Sequence, residues 1–454
     1  MNAPKENASQ KETPATGHET APAESSPRQT RSLLFAVLPL FVVVGLLLAG
    51  WLTRDSWQAP KSLDEIRRLA DQRQWSAAEQ QVRLYRATHP NDVQAMLLHA
   101  LVLAAKEDFV QCATLLESVP ADAAESARAL LYAGQKWQQA RRRRDAERAW
   151  LACLKATAGD EEVPLIQQEC RRQLCGMFAL ERRRDDLWKM TDEMTRHALP
   201  KDRHEPLAMR TRFEFVMVDP QVSLGLLEPA LENNPNDFVT RLAVGLYQLE
   251  AGNTEKARAR IYQCVQDHRD DLLVWEAWLQ LLYKTGDHFG LDQAIRDLPP
   301  ATEESAECWK YRLIVAEQNN DQEGAQDAAG RALKIRPFDA ELHHRLGQLL
   351  LRAGRKDEAQ EHLNKNQELQ KAQQELRDTF DIYRNEYPRA TKERRGEIAF
   401  QIAEAYERLG RASEAAPWYR VVLSENPAHS QSIAALERIQ DEAGTERTTP
   451  TGPN

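Results

Sequence analysis

Eleven histidines and six cysteines are the residues of this 454-residue chain with the greatest ligating or nucleophilic potential. His343 and His344 are adjacent. Neighbouring helical residues point about 100° apart, so the two cannot converge on one metal ion without outside ligands. His197 and His204 follow Cys170 and Cys175 as a loose set with no recognised ligand spacing. The cysteines, Cys112, Cys153, Cys170, Cys175, Cys264 and Cys308, are dispersed and form no C-x-x-C pair. Cys112, Cys153 and Cys264 fall where small apolar residues belong on helices and read as buried thiols acting as small hydrophobes. Cys170 and Cys175 would lie on different faces of one helix, which argues against a disulfide between them. There is no Gly-rich phosphate loop, H-E-x-x-H, Gly-x-Ser-x-Gly or C-x-x-C-H haem site. The sequence therefore assigns no catalytic, cofactor-binding or metal residue, and the expectation is a protein that is not an enzyme.

Charge offers a second route to function. The net charge is −9, which argues against general nucleic-acid binding, where a strongly basic domain is usual. Arg141–Arg144 and Arg182–Arg184, with Arg171 and Arg172 nearby, stand out against this acidic body. They have two readings: solvated turns whose cations complement helix C-termini, or a patch for an acidic partner or anionic lipid. Trp137, Trp150 and Trp188 lie close in sequence but at helical core spacing, which disfavours base stacking.

The elements that must position these residues are helices. Hydrophobic residues make up 42% of the chain, charged residues 28%, and glycine is scarce, which suits helices joined by short turns. The clearest segment runs from Lys392 to Pro427. Ala399, Ile402, Ala403 and Tyr406 share one helical face, and Gly410 follows as a helix C-terminus prefers. Ser413 and Glu414 open a second helix with Ala415, Tyr419 and Val422 on its inner face, and Pro427 closes it. Small residues let two antiparallel helices approach, and the two tyrosines fill the space around that contact. This segment resembles the tetratricopeptide repeat. Ala415 and Tyr419 supply its Ala-x-x-x-aromatic step, and Ala403 stands where its first small residue belongs without the usual Leu-Gly.

The same hairpin returns upstream, at a spacing of about 34 residues in the best units. Trp75, Ala78 and Val82 lead to Pro90; Leu130, Gly134 and Trp137 lead to Ala146, Trp150 and Cys153. Between these two, Met96, Ala100 and Cys112 mark a shorter second unit ending at Pro120; a poor fourth unit surrounds Cys175 and Leu187, and a fifth is read from Phe215, Leu227 and Ala230. Gly245, Gly252 and Ala257 mark a sixth, Trp275, Leu279 and Gly286 a seventh, and Trp309, Ala325 and Pro337 an eighth. Gly347, Gly354 and Ala359 mark a ninth. After Ala359 no breaker appears until Pro388, which predicts one helix of about 30 residues. That helix either projects from the array or packs on the last unit.

The N-terminus differs. Residues 1–30 have no large apolar residue after Met1 and read as a disordered tail. Leu33–Leu52 is an unbroken apolar run. A helix needs about 20 such residues to span a bilayer, and this run supplies them. It exceeds the core of a cleaved signal peptide and is read as a signal anchor over residues 31–53. The expected division is thus 1–30 tail, 31–53 transmembrane helix, 61–355 repeat array, 356–388 long helix, 389–440 C-terminal hairpin with a following helix, and 441–454 disordered tail. The expected place is the plasma (inner) membrane, with a cytoplasmic N-terminus and an extracytoplasmic body.

The fold expected is all-α: a right-handed solenoid of nine or ten tetratricopeptide-like hairpins behind one N-terminal transmembrane helix. The resemblance implies a scaffold or assembly factor holding a protein or peptide partner on its concave face, with homo-oligomerisation open and no cofactor. The alternatives are an enzyme-associated or ligand-binding solenoid, and a self-associating structural membrane protein.

Overall fold

A computed structural model of the chain describes residues 61–157, 162–198, 202–215 and 219–448. The apolar run Leu33–Leu52 and the N-terminal tail lie outside the described residues. Among the described residues no helix is long and apolar enough to cross a membrane, and all regular structure is helical.

The first helices form pairs: α1 (Leu63–Asp71) with α2 (Trp75–Thr88), α3 (Val93–Ala105) with α4 (Phe109–Glu117), α5 (Ser126–Gln139) with α6 (Arg143–Cys153), and α7 (Val163–Leu180) with α8 (Arg184–His197). Next come α9 (His204–Phe215) and α10 (Pro220–Asn233). Pairing resumes with α11 (Phe238–Glu250) and α12 (Thr254–Asp267), α13 (Leu272–Lys284) and α14 (His288–Arg296), and α15 (Ala306–Gln318) and α16 (Gln322–Ile335). It ends with α17 (Ala340–Arg352) and α18 (Lys356–Glu386), then α19 (Lys392–Arg408) and α20 (Ala412–Glu425), followed by α21 (Ser430–Thr448). Helix α21 thus continues past residue 441, where the polar sequence suggested a disordered tail.

One turn makes nearly all of these pairs. A residue with positive φ follows the first helix at Arg73, Glu107, Arg141, Arg182, Gly252, Gly286, Asn320, Gly354 and Gly410. The next residue's N–H then donates to the carbonyl five positions back, as Gln74 to Leu69, Asn253 to Gln248 and Arg411 to Tyr406 do, over 2.8–2.9 Å. This is the Schellman closure, which satisfies carbonyls that a helix end leaves free. The positive-φ residues recur at an even interval from Arg73 through Glu107 to Arg141, and again from Gly252 through Gly286 and Asn320 to Gly354. That interval is the repeat period of about 34 residues. The beat breaks where α7 lengthens to 18 residues and α18 to 31.

The inner faces are packed where small residues meet large ones. A Cβ on Gly134 would strike the indole of Trp150. One on Gly245 would come within 2.7 Å of Ile261 Cγ1, and one on Gly347 within 2.9 Å of Leu363 Cγ. Ala257, Ala359, Ala403 and Ala415 are fully buried, and Tyr406 and Tyr419 nearly so. Gly252, Gly354 and Gly410 occupy the turns, and Pro427 lies beyond the end of α20.

Two departures from regular stacking matter. The long helix α18 packs on the last unit: Leu369, Ala372, Leu376 and Phe380 are buried, and the first three join the core of α19 and α20. The fifth hairpin read from the sequence does not close on itself. Its first helix, α9, packs on α8 and on the distant α20, while α10 packs on α11. Leu207 of α9 lies in the core of the C-terminal unit, whereas Leu227 of α10 lies with Val244 and Tyr247. The helices from α9 to α20 therefore form a closed circuit.

Candidate functional site

Several arginines of the basic runs are engaged by other groups of the chain, while Arg141, Arg142 and Arg184 stay exposed. Arg141 and Arg182 take the positive-φ positions. Arg142 and Arg183 follow, and each guanidinium covers the aromatic ring five positions back, at 4.5 Å from the centroid of Trp137 and 4.3 Å from that of Phe178. A Schellman turn brings these two positions together, and the ring faces attract the cations. Arg411 repeats the arrangement over Tyr406 at 4.7 Å.

Arg143 and Arg144 turn inward. Glu181 caps α7 with its carboxylate fully buried, and receives Arg143 Nε at 2.7 Å together with Arg144. Arg144 also reaches Asp237 Oδ2 at 3.0 Å, and Asp237 in turn caps α11 through Thr240 N. Arg183 binds Glu147 at 2.7 Å. Buried charges persist only when paired in this way. The network ties the turns before α6, α8 and α11 together, so its arginines have partners within the chain.

A second set of contacts closes the circuit. Thr211 Oγ1 donates to the Leu207 carbonyl and stands 2.8 Å from the Tyr406 hydroxyl, which therefore donates to it. Arg411 forks onto Glu214, with Nη1 2.8 Å from Oε2. Trp188 Nε1 donates to Glu414 at 3.4 Å, and His204 Nδ1 shares a 2.7 Å hydrogen bond with the Tyr383 hydroxyl. Local spacing in the sequence gives no sign of these pairs, because the shortest of them spans 179 residues.

Within this circuit lie two cavities. One, of about 500 Å³, is lined by the apolar Val239, Leu242, Leu246 and Leu273 and by the charged Arg144, Glu181, Arg183, Asp186, Glu276 and Glu307. The second, of about 860 Å³, is lined by Arg184, Phe338, Glu341, His344, Asn366 and the turn from Leu409 to Glu414. Arg336 lines both. Val239, Leu273, Glu307 and Glu341 come from the first helices α11, α13, α15 and α17 and hold the same position in successive repeats. Leu242, Glu276 and His344 share a second such position on α11, α13 and α17. The first-helix face thus runs from apolar at α11 to ionic at α17.

Among the described residues no group of three or more His, Cys, Asp or Glu is placed to hold a metal ion. His343 Nδ1 lies 2.8 Å from His362 Nδ1, and His344 bonds Gln348, so the adjacent histidines do diverge. All six cysteines are buried and unbridged.

Residues 340–373 match the tetratricopeptide repeat family. This segment is α17 and the first half of α18, one full repeat period. That segment is a tetratricopeptide repeat. No curated protein matches the sequence. Similar solved structures include a crystal structure of MamA, at 15% identity over 37% of this chain and 95% of that one, with a TM-score of 0.31. Another is MamA 41-end from Desulfovibrio magneticus RS-1, at 16% identity over 39% of this chain and 98% of that one, with a TM-score of 0.30.

Proposed function

We propose that this protein is a membrane-anchored scaffold that holds a segment of another protein against the first-helix face of α11, α13, α15 and α17. The observation carrying the reading is the pair of cavities on that face, of about 500 and 860 Å³, framed by side chains that recur with the repeat. An extended segment can lie along such a surface and place successive side chains in successive cavities. The anchor rests on the apolar run Leu33–Leu52. With the N-terminus in the cytoplasm, the repeats would face the opposite side of the membrane.

Crosslinking in native membranes, detergent extraction and identification of co-purifying proteins tests this directly. One dominant partner in near-equal amount is the expected result, and its compartment reports the side on which the repeats lie. Recovery of the protein alone, with a multimeric mass by light scattering, would replace the scaffold with a self-assembling protein.

A further inference from the structure

The smaller cavity contains charges of both signs, but they are not equally engaged. Arg144 is held by Glu181 and Asp237, Arg183 by Glu147 and Asp186, and Arg336 by Glu307 at 3.4 Å. Glu276 is different. Its Oε1 accepts from the Ser305 hydroxyl at 2.6 Å, and Ser305 is itself committed to capping α15 through Cys308 N. No ion pair joins Glu276 to a cation among the described residues. It lines the same cavity as Leu242, Leu246 and Leu273, and Leu273 is 57% exposed.

We propose that this cavity takes a basic side chain of the bound segment, with its aliphatic stem on Leu242, Leu246 and Leu273 and its cationic head on Glu276. Lysine and arginine suit such a place because their stems pack on apolar surface while the charge reaches a polar rim. A charge-assisted hydrogen bond to an under-engaged carboxylate is the stronger kind. Burial raises the Glu276 pKa above its ordinary value; Glu307 and Asp185 add to this, while Ser305 and Arg336 oppose it. An arriving cation relieves that disfavoured charge. The assignment rests on the peptide-holding reading above.

The test is an array of random peptides probed with the full-length protein and with its Glu276→Gln and Glu276→Arg variants, each first shown to melt like the parent. The expected result is a selected position rich in Lys or Arg beside aliphatic residues. Glu276→Gln should weaken the selected peptides about tenfold, as loss of a hydrogen bond to a charged group does, and Glu276→Arg should shift that position toward Asp or Glu. Peptides selected with no basic position, or an unchanged basic preference in Glu276→Gln, would overturn this assignment and leave the groove reading standing. Retention of no peptide would overturn the groove reading, and this one with it.

Discussion

Arg411 and Glu214 are 197 residues apart in sequence and meet at 2.8 Å, joining the last helical hairpin to the middle of the chain. Burial alone would lower the Arg411 pKa; the hydrogen bond and charge of Glu214 override it and hold the guanidinium above its ordinary value. Beside this pair, the Tyr406 hydroxyl is buried against Thr211. Closure therefore depends on polar partners that the two halves supply to each other.

Removing one member of the pair should leave the other charge largely buried. Arg411→Ala is expected to destabilise the protein by about 3 kcal/mol, and the Arg411→Ala/Glu214→Gln double variant by less than the sum of the two single changes. Denaturant unfolding of the four proteins measures the coupling, and strict additivity would deny the pair any energetic role.

Glu181 is the most connected carboxylate of the inner network, and its side chain is fully buried. Glu181→Ala strips Arg143 and Arg144 of that shared acceptor and should cost about 3–5 kcal/mol. Thermal melting checks it, with Glu162→Ala as a comparison, since Glu162 is more than half exposed and its loss should change stability by less than about 1 kcal/mol.

Two glycines should respond in opposite directions. Gly134→Ala drives a methyl group into the Trp150 indole and should destabilise the protein by about 1–3 kcal/mol. Gly176 lies within α7 with nothing within 4 Å of an added Cβ, so Gly176→Ala should stabilise by about 0.5–1 kcal/mol. Equal effects in parallel melts would contradict the packing described.

His99 sets a pH dependence. Burial, with Arg86 and Arg83 nearby, pushes its pKa down to about 4, and Glu79 opposes only weakly. Its Nδ1 lies 3.0 Å from Arg86 Nη1, and its Nε2 is buried with no hydrogen-bond partner. The folded state thus favours neutral imidazole, whereas the unfolded chain takes up a proton near pH 6.5. The resulting stability is fully present above that value and declines as pH falls from about 6.5 toward 4. Unfolding free energies measured over pH 4–8 should lose part of this decline in His99→Gln, and an unchanged profile would show that His99 does not cause it.

The helical hairpins were legible because their signals are local. Gly252, Gly354 and Gly410 advertise their turns, but Arg73, Glu107, Arg141, Arg182 and Asn320 perform the same backbone role without glycine, and so obscure the regular beat. The length of α18 was legible from the lack of a breaker before Pro388; that it packs on the last unit depends on Leu369, Ala372 and Leu376 meeting α19 and α20. The placement of α9 was not legible. Its residues suit either a hairpin with α10 or the contact with α20, and the choice is made by Leu207, Thr211 and Glu214 finding partners far along the chain. For the same reason the arginine runs betrayed their turns but not Glu181 and Asp237, which hold them.

The circuit from α9 to α20 also restricts how such a chain can change in length. An open array gains or loses a whole repeat at little cost, because each unit meets only its neighbours. Here a repeat unit added or deleted between Phe215 and Lys392 would carry Arg411 and Tyr406 away from Glu214 and Thr211. The number of repeats in this arc is consequently fixed by geometry, as the number of staves is fixed in a hooped cask.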